Sequence, residues 1–275
     1  RAYLSSINVK WRNTMKFLKP VSFAIGVILL SINILGLFKS MRNEELYNET
    51  NTGRLQDITM RLEDAKKELA RKPGESDKEF SIRVNEVVNK SMMHYWKNEG
   101  LRKYNLRVPV WENYLLYLGK LGDKDRRYEF RNYKKNLERG VGLCSAHSVV
   151  VKGVLLDNGI EAHLWDIAGH VVVRAKVSDN EWYILDPDFG YYIPYDIGDI
   201  ESDPEIVRET YANMHELYKP DYNDPYTTDH VVEIYGPEGN HIYADSPVSE
   251  RIAYIAIWII PLILIAPFAM RWFKK

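Results

Sequence analysis

Residues 140–190 read GVGLCSAHSVVVKGVLLDNGIEAHLWDIAGHVVVRAKVSDNEWYILDPDFG. Two glycines lead into Cys144. The Val- and Leu-rich run after it, 145–157, has the length of a helix, and Asn158-Gly159 is a good stop for one. Segments 160–166, 170–177 and 181–186 are short, β-branched and aromatic, and read as strands. Ser178-Asp-Asn180 turns the last two into a hairpin. Helices come first and antiparallel strands follow, without βαβ alternation, so the fold class is α+β.

Cys144 is the single cysteine, which rules out an internal disulfide scaffold. A lone cysteine is commonly an inert buried thiol. Its context here points elsewhere. A nucleophilic thiol reacts as the thiolate, and a helix N-terminus favours an anion through its unpaired N–H groups and dipole. Cys144 stands at such a start, behind glycines that permit a tight turn and close backbone approach. Its own N–H is placed to serve an oxyanion.

The thiol needs a base, and the base an orienting acid. With a loop of Ser178, Asp179 and Asn180, Val177 faces Glu181 and Val172 faces Asp186. His170 then shares a face with Asp186 as a diagonal neighbour, within reach of a His–carboxylate hydrogen bond. A loop one residue shorter or longer would put Asp186 on the other face. Asp188 falls opposite His170 in the same register and is a rival, although Pro187 ends regular pairing before it. His147, one helical turn past Cys144, is an alternative base, but reads better as a helix-surface or pocket-rim residue. His163 reads as a packing or hydrogen-bonding histidine. No metal-ligand spacing such as H-x-x-x-H is present, and no cofactor motif.

Gly142-Leu-Cys144-Ser-Ala, Asn158-Gly-Ile160-Glu-Ala162, Gly169-His170-Val-Val and Trp182-Tyr-Ile-Leu-Asp186-Pro-Asp-Phe-Gly190 stand in an order that resembles the transglutaminase-like superfamily, a papain-like cysteine fold. The match covers about residues 125–190. The resemblance implies a Cys144, His170, Asp186 triad that transfers acyl groups through a thioester. Its members include cross-linking enzymes, amidases, peptidases and inactive scaffolds. The Cys-to-His spacing of 26 residues is short for the family, and the Arg of its strand-entry motif is His163 here. Arg174 and Lys176 share the triad face of their strand. Tyr133 is the one residue put forward for the oxyanion side chain that the family supplies upstream.

Ahead of this core, apolar residues at 55, 58, 62, 65 and 69 suggest a helix ended by Lys72-Pro-Gly74. Ser76 and Glu79 form a capping box for an amphipathic helix whose apolar positions run from 80 to 95. Helices are also expected at 111–121, 127–137 and 204–218, the last after Ser202, with a final hairpin of 231–235 and 241–243. The tyrosines at 191, 192, 195, 211, 218, 222 and 226 suit either packing or a groove for carbohydrate or peptide, packing being the default.

Two stretches, 21–38 and 252–270, carry no charge, and each as a helix spans roughly 27–29 Å. The first reads as a signal anchor, since a long basic stretch precedes it and no small-x-small site follows. Residues 1–20 carry five cations and no acid, and 271–275 carry three cations. Residues 221–250 hold seven acids and no Lys or Arg. The positive-inside rule then makes 1–20 and 271–275 cytoplasmic and 39–251 periplasmic or extracellular, in a two-pass inner- or plasma-membrane protein.

Charge is balanced, 37 basic against 38 acidic residues, which gives no field for nucleic acid. The expected function is that of a cell-envelope cysteine acyltransferase or amide hydrolase acting on a protein, peptide or envelope polymer. The alternative is an accessory subunit of an envelope or exopolysaccharide assembly complex, with membrane-complex partners.

Overall fold

The computed structural model describes residues 2–48, 58–95, 100–122, 127–218, 226–237, 240–242 and 248–269. Its elements are α1 (Ala2–Gly36), α2 (Leu62–Glu68), α3 (Asp77–Ser91), β1 (Met93–His94), α4 (Gly100–Lys103), α5 (Val110–Gly119), α6 (Tyr133–Arg139), β2 (Val141–Gly142), α7 (Cys144–Asp157), β3 (Ala162–Ile167), β4 (His170–Lys176), β5 (Trp182–Asp186), β6 (Tyr191–Ile193), α8 (Ile197–Ser202), α9 (Thr228–Ile234), β7 (Asn240–Ile242) and α10 (Val248–Ala269). The class is α+β. One sheet is five-stranded and antiparallel, in the order β6-β5-β4-β3-β7, and β1-β2 is a short parallel pair. The chain forms two compact units: Arg1–Lys39 with Arg107–Lys124 and Val248–Lys275, and Ser40–Leu106 with Asp125–Pro247.

In the second unit the large sheet is covered on both faces. Val171, Val173, Ala175 and Val177 of the β4 strand and its end pack with Phe80, Val84 and Val88 of α3 and Val150, Val154 of α7. Val172 and Ile184 face the other way, onto Ile197, Ile200, Val207, Tyr211 and Met214. Burial on both faces is why β4 carries three consecutive valines, 171–173. Each fully buried Val, Ile or Phe contributes roughly 1.5–3 kcal/mol.

Local chemistry sets the element ends. Ser76 Oγ accepts from the Glu79 N–H at 3.2 Å, and Glu79 Oε2 accepts from the Ser76 N–H at 3.0 Å. That capping box contributes about 1 kcal/mol. Gly140 ends α6 at φ +71°, and a Cβ there would meet the Arg42 guanidinium at 2.3 Å. Arg42 is buried because it donates to the last-turn carbonyls of α6, Leu137 O at 2.7 Å and Glu138 O at 3.1 Å. β3 and β4 turn through Ala168 and Gly169, both at positive φ, and Asp166 Oδ1 accepts from the Gly169 N–H at 2.8 Å. A non-glycine residue in this region is sterically costly, and here the tight turn sets His170 as the first residue of β4.

Several sequence expectations are corrected. The amphipathic helix ends at Ser91, and the next residues become β1, paired with Val141–Gly142. Helix α6 begins only at Tyr133, where Asn132 caps it. Before α2, residues 58–61 are not helical; 55–57 lie outside the described residues. The 204–218 stretch is two 3-10 turns, Pro204–Val207 and Met214–Leu217, and its cap is Asp203, not Ser202. Residues 231–235, expected as a strand, belong to α9 and its end. Thr227 caps that helix, and Val231, Ile234 and Tyr235 bury one helical face. Strand β7 therefore pairs with β3 instead, and Tyr243 lies outside the described residues.

In the first unit, Leu18–Gly36 and Val248–Phe268 are helices long and apolar enough to cross a membrane, with mean hydropathies of 2.0 and 2.1. Pro261 has no N–H, which deprives the Ile257 carbonyl of its helical donor. Asn33 Nδ2 of α1 donates to that carbonyl at 2.6 Å. A polar residue in one apolar helix thus answers a proline in the other.

Candidate active site

Cys144 is the first residue of α7, and its N-cap, Leu143, offers no side-chain acceptor. No side chain therefore caps the first turn; the Ala146 N–H is given to Leu143 O at 2.9 Å, and the N–H groups of Cys144 and Ser145 remain for an anion in front of the helix. Gly142 permits this approach: a Cβ there would lie 2.4 Å from the Ala146 Cβ. Buried Arg139 holds the entry strand, donating to Val141 O at 2.8 Å and Tyr128 O at 2.6 Å. Ser148 Oγ, on the next turn of α7, donates to Val171 O at 2.7 Å. The Val171 N–H in turn donates to Cys144 Sγ at 3.5 Å. This pair of bonds ties the start of α7 to the first residues of β4.

His170 and Asp186 meet across the β4-β5 hairpin. Val173 pairs with Leu185 and Lys176 with Trp182, and the Val177 N–H donates to Glu181 O at 2.9 Å. That is the register of a three-residue loop at 178–180. His170 Nε2 lies 2.8 Å from Asp186 Oδ2. The Cys144 side chain also neighbours this imidazole and favours its charged form. Burial opposes a charged imidazole, but the Asp186 carboxylate and then the Cys144 sulfur outweigh it. His170 is held well above the ordinary histidine value.

Asp186 is fully buried and accepts from four donors. Oδ2 takes His170 Nε2 and the Tyr211 hydroxyl at 2.7 Å; Oδ1 takes the N–H groups of Asp188 at 3.1 Å and Phe189 at 3.3 Å. Tyr211 also meets the Tyr235 hydroxyl at 3.1 Å. Burial first, then the Asp186 charge, pushes Tyr211 well above the ordinary phenol value, so it stays a donor.

Asp188 does not compete for His170. Its Oδ1 lies 2.5 Å from Nδ1 of His94, and both groups are buried. Asn89 Nδ2 donates to the carbonyls of Pro187 and Asp188 at 3.2 and 3.1 Å, fixing the turn between the two aspartates. Each aspartate thus carries its own histidine. His94 stands opposite Gly142 in the β1-β2 pair, and its ring stacks on His147 with centroids 6.2 Å apart.

His147 is buried rather than on a rim. Its Nδ1–H donates to Leu143 O at 2.8 Å, which holds the ring within its own helix. Tyr133 is not near the thiol. Its hydroxyl donates to Asp157, the far end of α7, about 20 Å along the helix from Cys144. Arg174 is explained by a bidentate pair with Asp196 at 2.5 and 2.6 Å, with its guanidinium 3.8 Å over Trp182. His163 stacks on the same indole at 5.5 Å. Of the tyrosines, 211 and 218 are core, 192 and 195 are exposed, and 222 lies outside the described residues.

His94 and Tyr211 were not legible in the sequence as site residues. His94 falls between Met92 and Tyr95, which continue the apolar rhythm of α3, and Tyr211 is 25 residues along the chain from Asp186. Glu129, which accepts from Ser145 Oγ beside the nucleophile, carried no motif either.

No protein-family model, no curated protein and no solved structure matches this chain.

Proposed function

We propose that this chain is a membrane-tethered cysteine acyltransferase or amide hydrolase of the transglutaminase-like type, with Cys144 as nucleophile, His170 as base and Asp186 as the acid that orients it. The observation that carries the reading is that Cys144, at an uncapped helix start, neighbours His170, whose Nε2 lies 2.8 Å from Asp186 Oδ2. Sγ attacks the carbonyl carbon of an amide or ester, and a C–S bond forms as the carbonyl π electrons move to oxygen. The first-turn N–H groups of α7 receive that oxyanion. The intermediate collapses with loss of the amine or alcohol, which takes the proton from His170. Water or an amine, deprotonated by His170, then attacks the thioester and releases an acid or a new amide and the Cys144 sulfur.

The two apolar helices support a two-pass anchor, with the basic flanks cytoplasmic and the second unit outside. A reporter that is active only outside the cytoplasm, inserted in the exposed Ser178–Asn180 turn, is expected to be active; activity of only a cytoplasmic reporter there would refute this orientation.

The chemistry is tested with p-nitrophenyl acetate. The expected result is a nitrophenolate burst stoichiometric with protein and an acetyl group on Cys144 by intact mass. Both should vanish in Cys144→Ala and His170→Ala. One observation favours a second reading: the thiol is only 5% exposed and His170 4%. A sealed site suits a non-catalytic subunit of an envelope assembly complex. Absence of any burst in the folded protein would select that reading.

A further inference from the structure

Residues 107–124 lie between elements of the second unit in sequence, yet they fold with the two apolar helices. Their helix, α5, is too short to cross a bilayer: its ten residues span about 15 Å. Asn113 breaks it into two turns, and Asn113 Oδ1 caps the second by accepting from the N–H groups of Leu115 and Leu116 at 3.1 Å. The stretch 108–121, VPVWENYLLYLGKL, carries only Glu112 and Lys120 as charges.

Its contacts are all at one end of the helix pair. On α1, Gly36 sits so close to Trp111 that a Cβ would lie 2.0 Å from the Trp111 carbonyl oxygen, and Lys39 Nζ lies 5.7 Å from the indole. On α10, Tyr254 donates to Glu112 at 2.6 Å. The Tyr114 hydroxyl joins Asn33 at the Ile257 carbonyl freed by Pro261, at 3.1 Å. Arg107 covers the Tyr117 ring at 3.9 Å. Trp, Tyr, Lys and Arg gathered where two apolar helices end are the composition of a membrane–water interface. Beyond these contacts Leu118, near the end of α5, is 53% exposed, and Leu121, just past its C-cap Lys120, is 48% exposed.

We infer that α5 is a third membrane element, which lies in the interfacial plane and seats Leu118 and Leu121 in the phospholipid bilayer. The occupant is lipid because the exposed leucines fold in one unit with the two apolar helices, beside aromatic and basic residues of interfacial type, and because Glu112 and Tyr114 of α5 are turned onto α10. The inference rests on the reading of α1 and α10 as spans.

Cys144→Ser removes the single thiol, so a fluorescent probe can be placed at one engineered cysteine in the full chain, reconstituted in phosphatidylcholine–phosphatidylglycerol vesicles. Probes at Leu118→Cys and Leu121→Cys are expected to shift to shorter wavelength. A lipid nitroxide near the headgroup should quench them more strongly than one near the bilayer centre. A probe at Ile263→Cys, within α10, should show the reverse order, and one at Asp179→Cys should respond to neither. If the probes at 118 and 121 behave like that at 179 while 263 is quenched, the inference is overturned and the spans stand. Probes shifted but not quenched by either lipid mean that protein covers the leucines, which also overturns it. Failure of the probe at 263 removes the spanning reading itself.

Discussion

Cys144 of the folded protein is expected to alkylate with iodoacetamide at pH 6, and His170→Ala to slow that reaction on the order of 100-fold. An ordinary thiol, with a pKa near 8.5, is well under about 1% thiolate at pH 6. Reaction at pH 6 therefore tests whether His170 assists the sulfur. His170 is held well above its ordinary value: burial opposes the charge, but the Asp186 carboxylate and the Cys144 sulfur outweigh it. With His170 in place the rate should vary far less steeply with pH than that of a free thiol. In His170→Ala the rate should rise about tenfold per pH unit, as for a free thiol. The profile matters more than the absolute rate, because restricted access to a buried sulfur scales the rate equally at every pH. Reaction only after denaturation, or a profile unchanged by His170→Ala, would overturn the nucleophile assignment.

The second large effect is on stability. Asp186→Ala should cost about 3–5 kcal/mol, read as a lowered urea midpoint of the full chain in detergent. The carboxylate is fully buried, and its loss leaves His170, the Tyr211 hydroxyl and the N–H groups of Asp188 and Phe189 without their acceptor. The pH dependence has a definite sign. A histidine whose folded value is raised adds stability that is fully present below its unfolded value, near 6.5. That stability is lost as pH rises through the folded value. Wild type should therefore lose stability on the alkaline side, and Asp186→Ala should show much less of that loss. A midpoint no lower than that of Asp179→Ala, a change at an exposed turn, would refute this account.

The parts of the site that were legible are those encoded locally. Glycines before a thiol, a Val-rich helix after it and a turn of fixed length are short-range signals. The three-residue loop at 178–180 is enough to put His170 and Asp186 on one face, because side chains alternate along a strand. The errors also have local causes. The apolar rhythm of α3 runs on to Met92 and Tyr95, so nothing nearby shows that Met93-His94 leaves the helix for a strand beside Gly142. Val231-Val232 looks like a strand by β-propensity, and the Thr227 cap decides for a helix.

By itself the sequence determined the α+β class, two apolar helices of membrane length, and His170 as the neighbour of a carboxylate on one hairpin. Each follows from composition or from spacing within one element or one hairpin. Only the tertiary structure decided between Asp186 and Asp188, because that choice depends on His94, brought in by β1 from far upstream. It also brought Tyr211 to Asp186 and the 107–124 segment to the apolar helices. Buried polar groups must find partners wherever the chain returns, and the residues that supply them are distant in sequence and carry no local pattern.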